Sequence, residues 1–336
     1  MKKLISFLLV MAMAITAFSG CGKSESKGDS SKISIVTTIF PEYDWVREIT
    51  KGNDNVEISM LLDKGVDLHS FQPTAEDIVK VSSCDVFIYV GGESDQWVED
   101  ALKEATNKDM VVINLLDVLG DSVKEEEIIE GMEAEEEEEG EGEEGEDGEE
   151  GEDGEEGPEY DEHVWLSLKN AKTLCQRISE ELGKLDSANK TLYENNAKEY
   201  INSLDELDKK YEAAAKEAKT KTVLFGDRFP FRYLVDDYGL DYYAAFVGCS
   251  AESEASFETI SFLAGKVDQL KLSAICQIES SNGKIAETIK STTKDKNQQI
   301  LTFDSMQSVT AKDVEAGEKY LTIMERNLEA FQEAIK

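Results

Sequence analysis

Apolar positions along this chain fall into two alternating periods. Short runs rich in Val and Ile at 33–38, 56–61, 85–90 and 110–114 read as strands, and stretches with a 3.6-residue repeat at 40–49, from Thr74 onward, and at 97–105 read as helices between them. Thr74 caps its helix in this reading, with Asp77 at the capping-box spacing. After a gap, 170–185 is a helix carrying Ala171, Leu174, Cys175, Ile178 and Leu182 on one face, and Asp186-Ser187 breaks it. The pattern from 188 to 219 then continues as one long helix without Gly or Pro. Strands at 222–225, 242–246, 274–278 and 299–303 alternate with helices at 229–237, 257–269, 283–292 and 320–335. This predicts an α/β protein of two (β/α) lobes with largely parallel sheets, joined by one long rigid linker helix, with a ligand cleft beyond the carboxyl ends of the strands.

The gap is an acidic insertion. Residues 133–156 hold seventeen acidic residues, six glycines and one alanine, which can neither bury a core nor offset their own repulsion. The whole chain carries a net charge of −37, of which −20 remains outside that stretch. Nucleic acid and anionic membrane surfaces are excluded as partners on this balance, and a cation is favoured. The insertion serves either as a solubilising loop or as a weak collector of cations, and carboxylates alone select no particular metal.

The first twenty residues read as an export signal: Lys2 and Lys3, then an apolar run at 4–18 too short to span a bilayer. Phe18-Ser19-Gly20-Cys21 resembles a bacterial lipoprotein cleavage box, which implies diacylglycerol on the Cys21 sulfur and a tether over 21–30. The protein is then extracytoplasmic and held at the cell membrane by lipid alone. The expected organisation is a signal peptide at 1–20, a lipidated tether at 21–30, an amino-terminal lobe at 31–185 with a disordered acidic loop at 124–158, a linker helix at 186–219 and a carboxyl-terminal lobe at 220–336. Of the other cysteines, Cys84, Cys175 and Cys276 lie in apolar segments and read as buried hydrophobes, and no disulfide framework is indicated.

Only two histidines occur, and both have acidic neighbours: Asp67-Leu68-His69-Ser70-Phe71-Gln72-Pro73-Thr74 and Asp161-Glu162-His163-Val164-Trp165-Leu166-Ser167. With Asp227-Arg228-Phe229-Pro230-Phe231, Tyr238-Gly239-Leu240 and Phe303-Asp304-Ser305, these segments resemble the motifs of the zinc- or manganese-binding class of ABC-transporter substrate-binding lipoproteins, over nearly the whole mature chain. The resemblance implies His69, His163 and Asp304 as metal ligands, Zn2+ or alternatively Mn2+ as the captured ion, an ABC permease and its ATPase as partners, a monomer, and no catalysis.

The third ligand position of the family departs here. The zinc members' histidine falls near Gly226 and the manganese members' glutamate near Gly248, so Asp227, Cys249, Glu252 or water remains to complete the shell. A thiolate from Cys249 favours zinc, whereas an all N/O shell leaves manganese open. Glu279 reads as a loop or linker-contact residue and Trp45, Trp97 and Trp165 as packing. A metallohydrolase needs an open coordination position and a general base, and the chain contains neither an H-E-x-x-H nor a G-x-S-x-G motif. Members of this class can also act as surface adhesins, and no feature of the sequence bears on that role.

Overall fold

The computed structural model describes residues 32–133, 159–250 and 254–336. Its amino-terminal half runs β1 (Ile33–Thr37), α1 (Phe40–Ile49), β2 (Val56–Met60), α2 (Ala75–Ser83), β3 (Val86–Tyr89), α3 (Trp97–Lys103), β4 (Val111–Asn114) and α4 (Leu115–Leu119). Two paired helices follow, α5 (Leu168–Leu185) and α6 (Lys190–Glu217). The carboxyl-terminal half is β5 (Thr222–Phe229), α7 (Arg232–Asp237), β6 (Asp241–Val247), α8 (Phe257–Leu270), β7 (Ala274–Ile278), α9 (Lys284–Thr292), β8 (Gln299–Phe303), α10 (Ala311–Glu315) and α11 (Tyr320–Ala334). Each half holds one four-stranded sheet, in the orders β2-β1-β3-β4 and β6-β5-β7-β8, and every pairing is parallel. The two lobes are therefore wound alike.

Parallel strands covered on both faces need apolar side chains on both, and Val86, Phe87 and Ile88 are fully buried. In each sheet the strand order reverses beside the first strand, so the loops leaving the carboxyl ends frame a crevice. The loop after β2 carries His69, and the topologically equivalent loop after β6 carries Cys249.

Helix α6 begins at Lys190 because Asp186 ends α5 and accepts bonds from Asn189 Nδ2 and the Tyr193 hydroxyl. Its 28 residues span about 42 Å at 1.5 Å per residue. It is no free rod: Tyr193, Ala197, Tyr200, Leu204, Leu207 and Tyr211 form a buried stripe against α5, α1 and α11. The Tyr211 hydroxyl donates to Met324 O of α11 at 2.7 Å, which fixes the last helix on the connector. One core runs through both halves, and a smaller one lies among β5, β6, α8 and α9.

Two expectations are corrected. The segment 226–229 continues β5 rather than ending it. A bulge between Phe225 and Arg228 and close packing of Gly226 on α9, where a Cβ would stand 2.7 Å from Ala286 Cα, keep the strand running. The first ten residues of the acidic loop, 124–133, form a strap on the carboxyl-terminal lobe instead of a disordered segment. Lys124 N donates to the Tyr233 hydroxyl, Arg232 bonds Glu125 O and Glu127, and Glu133 N donates to Ala245 O beside β6. The rest of the acidic run, like the export signal and the tether, lies outside the described residues. Cys84, Cys175 and Cys276 are buried free thiols.

Candidate metal centre

His69 lies in a single 3-10 turn, Leu68–Ser70, at the cleft end of β2. Leu68 is buried and pins the turn to the core, while Asp67 caps it by accepting the His69 N–H at 3.1 Å. His163 enters from the far side of the acidic insertion, just before the wholly buried turn Val164–Leu166. Asp161 accepts both its backbone N–H and its Nδ1, each at 2.9 Å. The same D-x-H spacing thus builds both histidine loops.

With Asp161 on Nδ1–H, the Nε2 of His163 is left with its lone pair free. It lies 3.2 Å from His69 Nε2. Two nitrogens bound to one tetrahedral zinc, each at about 2.0–2.1 Å, stand about 3.3 Å apart. Behind the other ring, Ser94 Oγ contacts His69 Nδ1 at 2.7 Å, and Glu162 Oε2, buried without a hydrogen-bond partner, lies 3.5 Å from the same nitrogen. Glu162 also accepts Ser94 N–H at 2.9 Å. Burial and the neighbouring His163 push the His69 pKa down to about 3, so the ring is held neutral, the form that binds metal. Burial pushes the Glu162 carboxyl up to about 7.

The Cys249 thiol lies beside the two imidazoles. One ligand atom each from His69, His163 and Cys249 lie within 4.8 Å of one another. Gly248 makes this approach possible, since a Cβ there would stand 2.9 Å from His163 Cε1 and 3.0 Å from Nδ1. The Cys249 thiol is held protonated by burial first and by the nearby carboxylate of Glu126 second. Arg228, at the end of β5, pairs with Asp67 of the opposite lobe and reaches Ser250 O at 3.5 Å. A cavity of about 300 Å³ lies alongside, lined in part by Asp67, Ser70, Arg228, Ser250, Gln307 and Ser308.

The residues expected from the sequence divide accordingly. His69, His163 and Cys249 converge. Asp304 does not join them: its carboxylate accepts from Met306 N at 2.8 Å, faces Arg326 at 3.5 Å, and is pushed up to about 6 by burial and by Glu279. Asp227 is spent on the backbone N–H groups of Arg228 and Ile278. Glu279 accepts from Ser305 and Ser308, a bracing role within its lobe. Gly226 has no room for a side chain of any kind. Glu252 and Cys21 lie outside the described residues. Trp165 packs beside His163 and donates to Ser305 O at 2.9 Å. Asp161, Ser94 and the Asp67–Arg228 pair carry the site without having been singled out in the sequence, although the repeated D-x-H is a visible sign of the first.

Two like-wound parallel lobes with imidazoles and a thiol meeting between them define the two-lobed metal-binding class of transporter substrate-binding proteins. Within it, the chain belongs to the family described as zinc-uptake complex component A, periplasmic, whose model matches residues 35–334. It is 31% identical over 339 residues to the high-affinity zinc uptake system protein ZnuA of Bacillus subtilis, covering 100% of this chain and 99% of that one. It is 30% identical over 333 residues to the zinc-binding lipoprotein AdcA of Streptococcus pneumoniae, covering 99% of this chain but 61% of AdcA. Among solved structures, the Zn(II)-bound ZnuA-like domain of that AdcA aligns with a TM-score of 0.68 at 27% identity over 90% of this chain and 99% of the domain. The metal-dependent lipoprotein YcdH of B. subtilis aligns at 0.71 and 26% identity, over 90% of this chain and 99% of YcdH.

Proposed function

We propose that this protein captures one zinc ion between His69 and His163 of the amino-terminal lobe and Cys249 of the carboxyl-terminal lobe, and presents it to an ABC permease driven by an ATPase. The observation that carries the reading is the convergence of those three donors from loops far apart in sequence. The donor set supports zinc over manganese, because a thiolate is soft and two imidazoles with one thiolate suit a tetrahedral d10 ion. The relatives point the same way, since their names describe zinc binding or uptake. Asp304 then acts as a structural acid of the carboxyl-terminal lobe. No step of bond-breaking is assigned to the site, which serves binding alone.

The organisation that fits this role is a signal at 1–20, a tether lipidated at Cys21, two lobes with the connector 186–219, which holds α6 (Lys190–Glu217), between them, and a single chain as the working unit. No described helix is long and apolar enough to cross a membrane. Mass spectrometry of protein from the native membrane tests the acyl group on Cys21. Calorimetry on metal-free protein tests the site: wild type should bind zinc one to one, and H69A, H163A and C249A should each lose at least tenfold in affinity. Wild-type affinity in all three variants refutes the assignment. Replacing the thiol by a hard donor, in C249D, should narrow the preference for zinc over manganese.

A further inference from the structure

The contact between the two histidines fixes where their protons sit. Asp161 Oδ1 lies 2.9 Å from His163 Nδ1, so the neutral His163 ring keeps its proton there and presents a bare Nε2. That nitrogen stands 3.2 Å from His69 Nε2. Two bare nitrogens at this distance repel, so without metal the pair holds only if neutral His69 carries its proton on Nε2. Its Nδ1 is then bare, and the Ser94 hydroxyl, 2.7 Å away, is the donor. A ring in this tautomer cannot bind zinc through Nε2.

We propose that Ser94 and Glu162 form the receiving side of a tautomer switch that turns His69 into a ligand; the proposal rests on the zinc site proposed above. As zinc arrives at Nε2, the proton there leaves to water and Nδ1 takes one from water, so the ring stays neutral and its proton count is unchanged. The new Nδ1–H needs an acceptor. Ser94 Oγ accepts it by turning its own hydrogen toward Glu162, whose carboxylate interacts with that hydroxyl. Glu162 Oε2 stands 3.5 Å from His69 Nδ1 and is buried with no hydrogen-bond partner. A bare Nδ1 offers this oxygen no donor, and a protonated Nδ1 does.

The loop after β3 is shaped for this carboxylate. Ser94 N donates to Glu162 Oε1 at 2.9 Å. Gly92, at a φ of +79°, leaves the room, since a Cβ there would stand 2.3 Å from the same oxygen. Asp95 accepts the Gly91 N–H at 3.0 Å and holds the turn. The Glu162 side chain is only 2% exposed, and burying a carboxyl with an unmet oxygen is costly, so its place behind the ring calls for a return. Asp67 does not compete for the ring: it accepts the His69 backbone N–H and pairs with Arg228. Ser94 and Glu162 are thus positioning residues for His69, as Asp161 is for His163.

The test uses the untagged full mature chain at about pH 8, above the ordinary range of imidazole, where both rings are neutral. Long-range 1H–15N spectra of histidine-labelled protein, with only two rings to assign, show which nitrogen of each carries the proton before and after zinc is added. His69 should be protonated on Nε2 without zinc and on Nδ1 with it, while His163 stays protonated on Nδ1. E162Q, an acceptor without the charge, should bind zinc about tenfold more weakly and E162L about 100-fold, the range for losing an outer partner. In both, the bound His69 Nδ1–H should exchange faster with water. S94A should weaken binding likewise, and S94T, which keeps the hydroxyl, should restore it. E162Q carries the test if E162L does not fold. His69 protonated on Nδ1 in the metal-free protein, or wild-type affinity in the folded Glu162 variants, overturns the switch alone. Zinc that binds without moving the resonances of either ring overturns the site itself.

Discussion

His69 Nε2 and His163 Nε2 lie 3.2 Å apart although 94 positions separate the residues in the chain. Two imidazole nitrogens that close share a proton or an ion. Without metal they hold together by one hydrogen bond, and the neutral state of His69 enforces it. Zinc bound to the folded state alone should stabilise it by about 2.7 kcal/mol when free zinc stands at 100 times Kd. Thermal melts of the wild type with a chelator and with zinc should show that increase as a rise in Tm. H69A and H163A, weakened at least tenfold, should show a rise at most about half as large in free energy under the same conditions.

Asp161 orients His163 through both the ring and the backbone, each bond 2.9 Å. A carboxylate on the far nitrogen fixes the tautomer and raises the basicity of the metal-binding one, and losing such a partner costs about 10–100-fold in metal affinity. D161N keeps an acceptor without the charge and should sit near the lower figure, with D161A near the upper. Competition titration of zinc measures both. Equal affinity in wild type and D161A would falsify the orienting role.

The amino-terminal half of the site was legible in the sequence because it is local: each histidine sits in its own D-x-H turn, next to strands marked by Val and Ile. The alternation of strands and helices was legible for the same reason. The carboxyl-terminal half was not, since it depends on contacts across the fold. Asp304 lies where the resemblance places a ligand, yet its carboxylate faces Met306 N and Arg326. Cys249 was one of several candidates in the sequence, and only packing distinguishes it. Gly226 lies against Ala286, which closes that position to a side chain, while Gly248 lies against His163, which brings the next residue, Cys249, beside the two imidazoles. The strap at 124–133 reads as polar and acidic, and its order comes from Tyr233, Arg232 and the edge of β6 rather than from its own apolar content.

Gly248→Ala isolates this last relation. The added methyl would stand 2.9 Å from His163 Cε1 and 3.0 Å from both His163 Nδ1 and Phe229 O, so either the ring or the loop after β6 must shift. Either shift separates His163 from Cys249. Zinc affinity should fall by about tenfold or more, about 1.4 kcal/mol, while the urea midpoint of the metal-free protein changes little. A variant that loses stability but binds zinc as wild type does would mean that the glycine serves packing only.

His69 and Glu162 make opposing contributions to stability against pH. The folded His69 titrates at about 3, below its ordinary value of 6.5, so the unfolded chain holds the extra proton between those limits and stability falls as pH drops through that window. The folded Glu162 titrates at about 7, above its ordinary 4.5, so its contribution is complete below 4.5 and is lost as pH rises through 7. Between pH 4.5 and 6.5 the two slopes oppose each other. E162Q removes one of them, and the metal-free variant should then lose up to about 1.4 kcal/mol more than wild type per unit of acidification across that interval. Urea unfolding at both ends of the interval checks it; parallel wild-type and variant curves would contradict the opposition.

The Asp67–Arg228 pair joins the loop of one ligand to the lobe of another. Asp67 caps the turn that holds His69, and Arg228 reaches Ser250 O beside Cys249, so one guanidinium touches the supports of donors on both lobes. Both side chains are largely shielded from solvent, at 21% and 13% exposure, which makes the pair stronger than a surface ion pair of the same length. Opening the cleft to release metal must separate it. R228M should therefore speed zinc dissociation by about tenfold, while association, set mainly by diffusion and entry, changes little. D67N should act in the same direction, and the double variant should be no faster than the more impaired single one, because both substitutions remove the same link. Stopped-flow release into excess chelator measures all three rates; additive effects in the double variant would show that the two residues act independently.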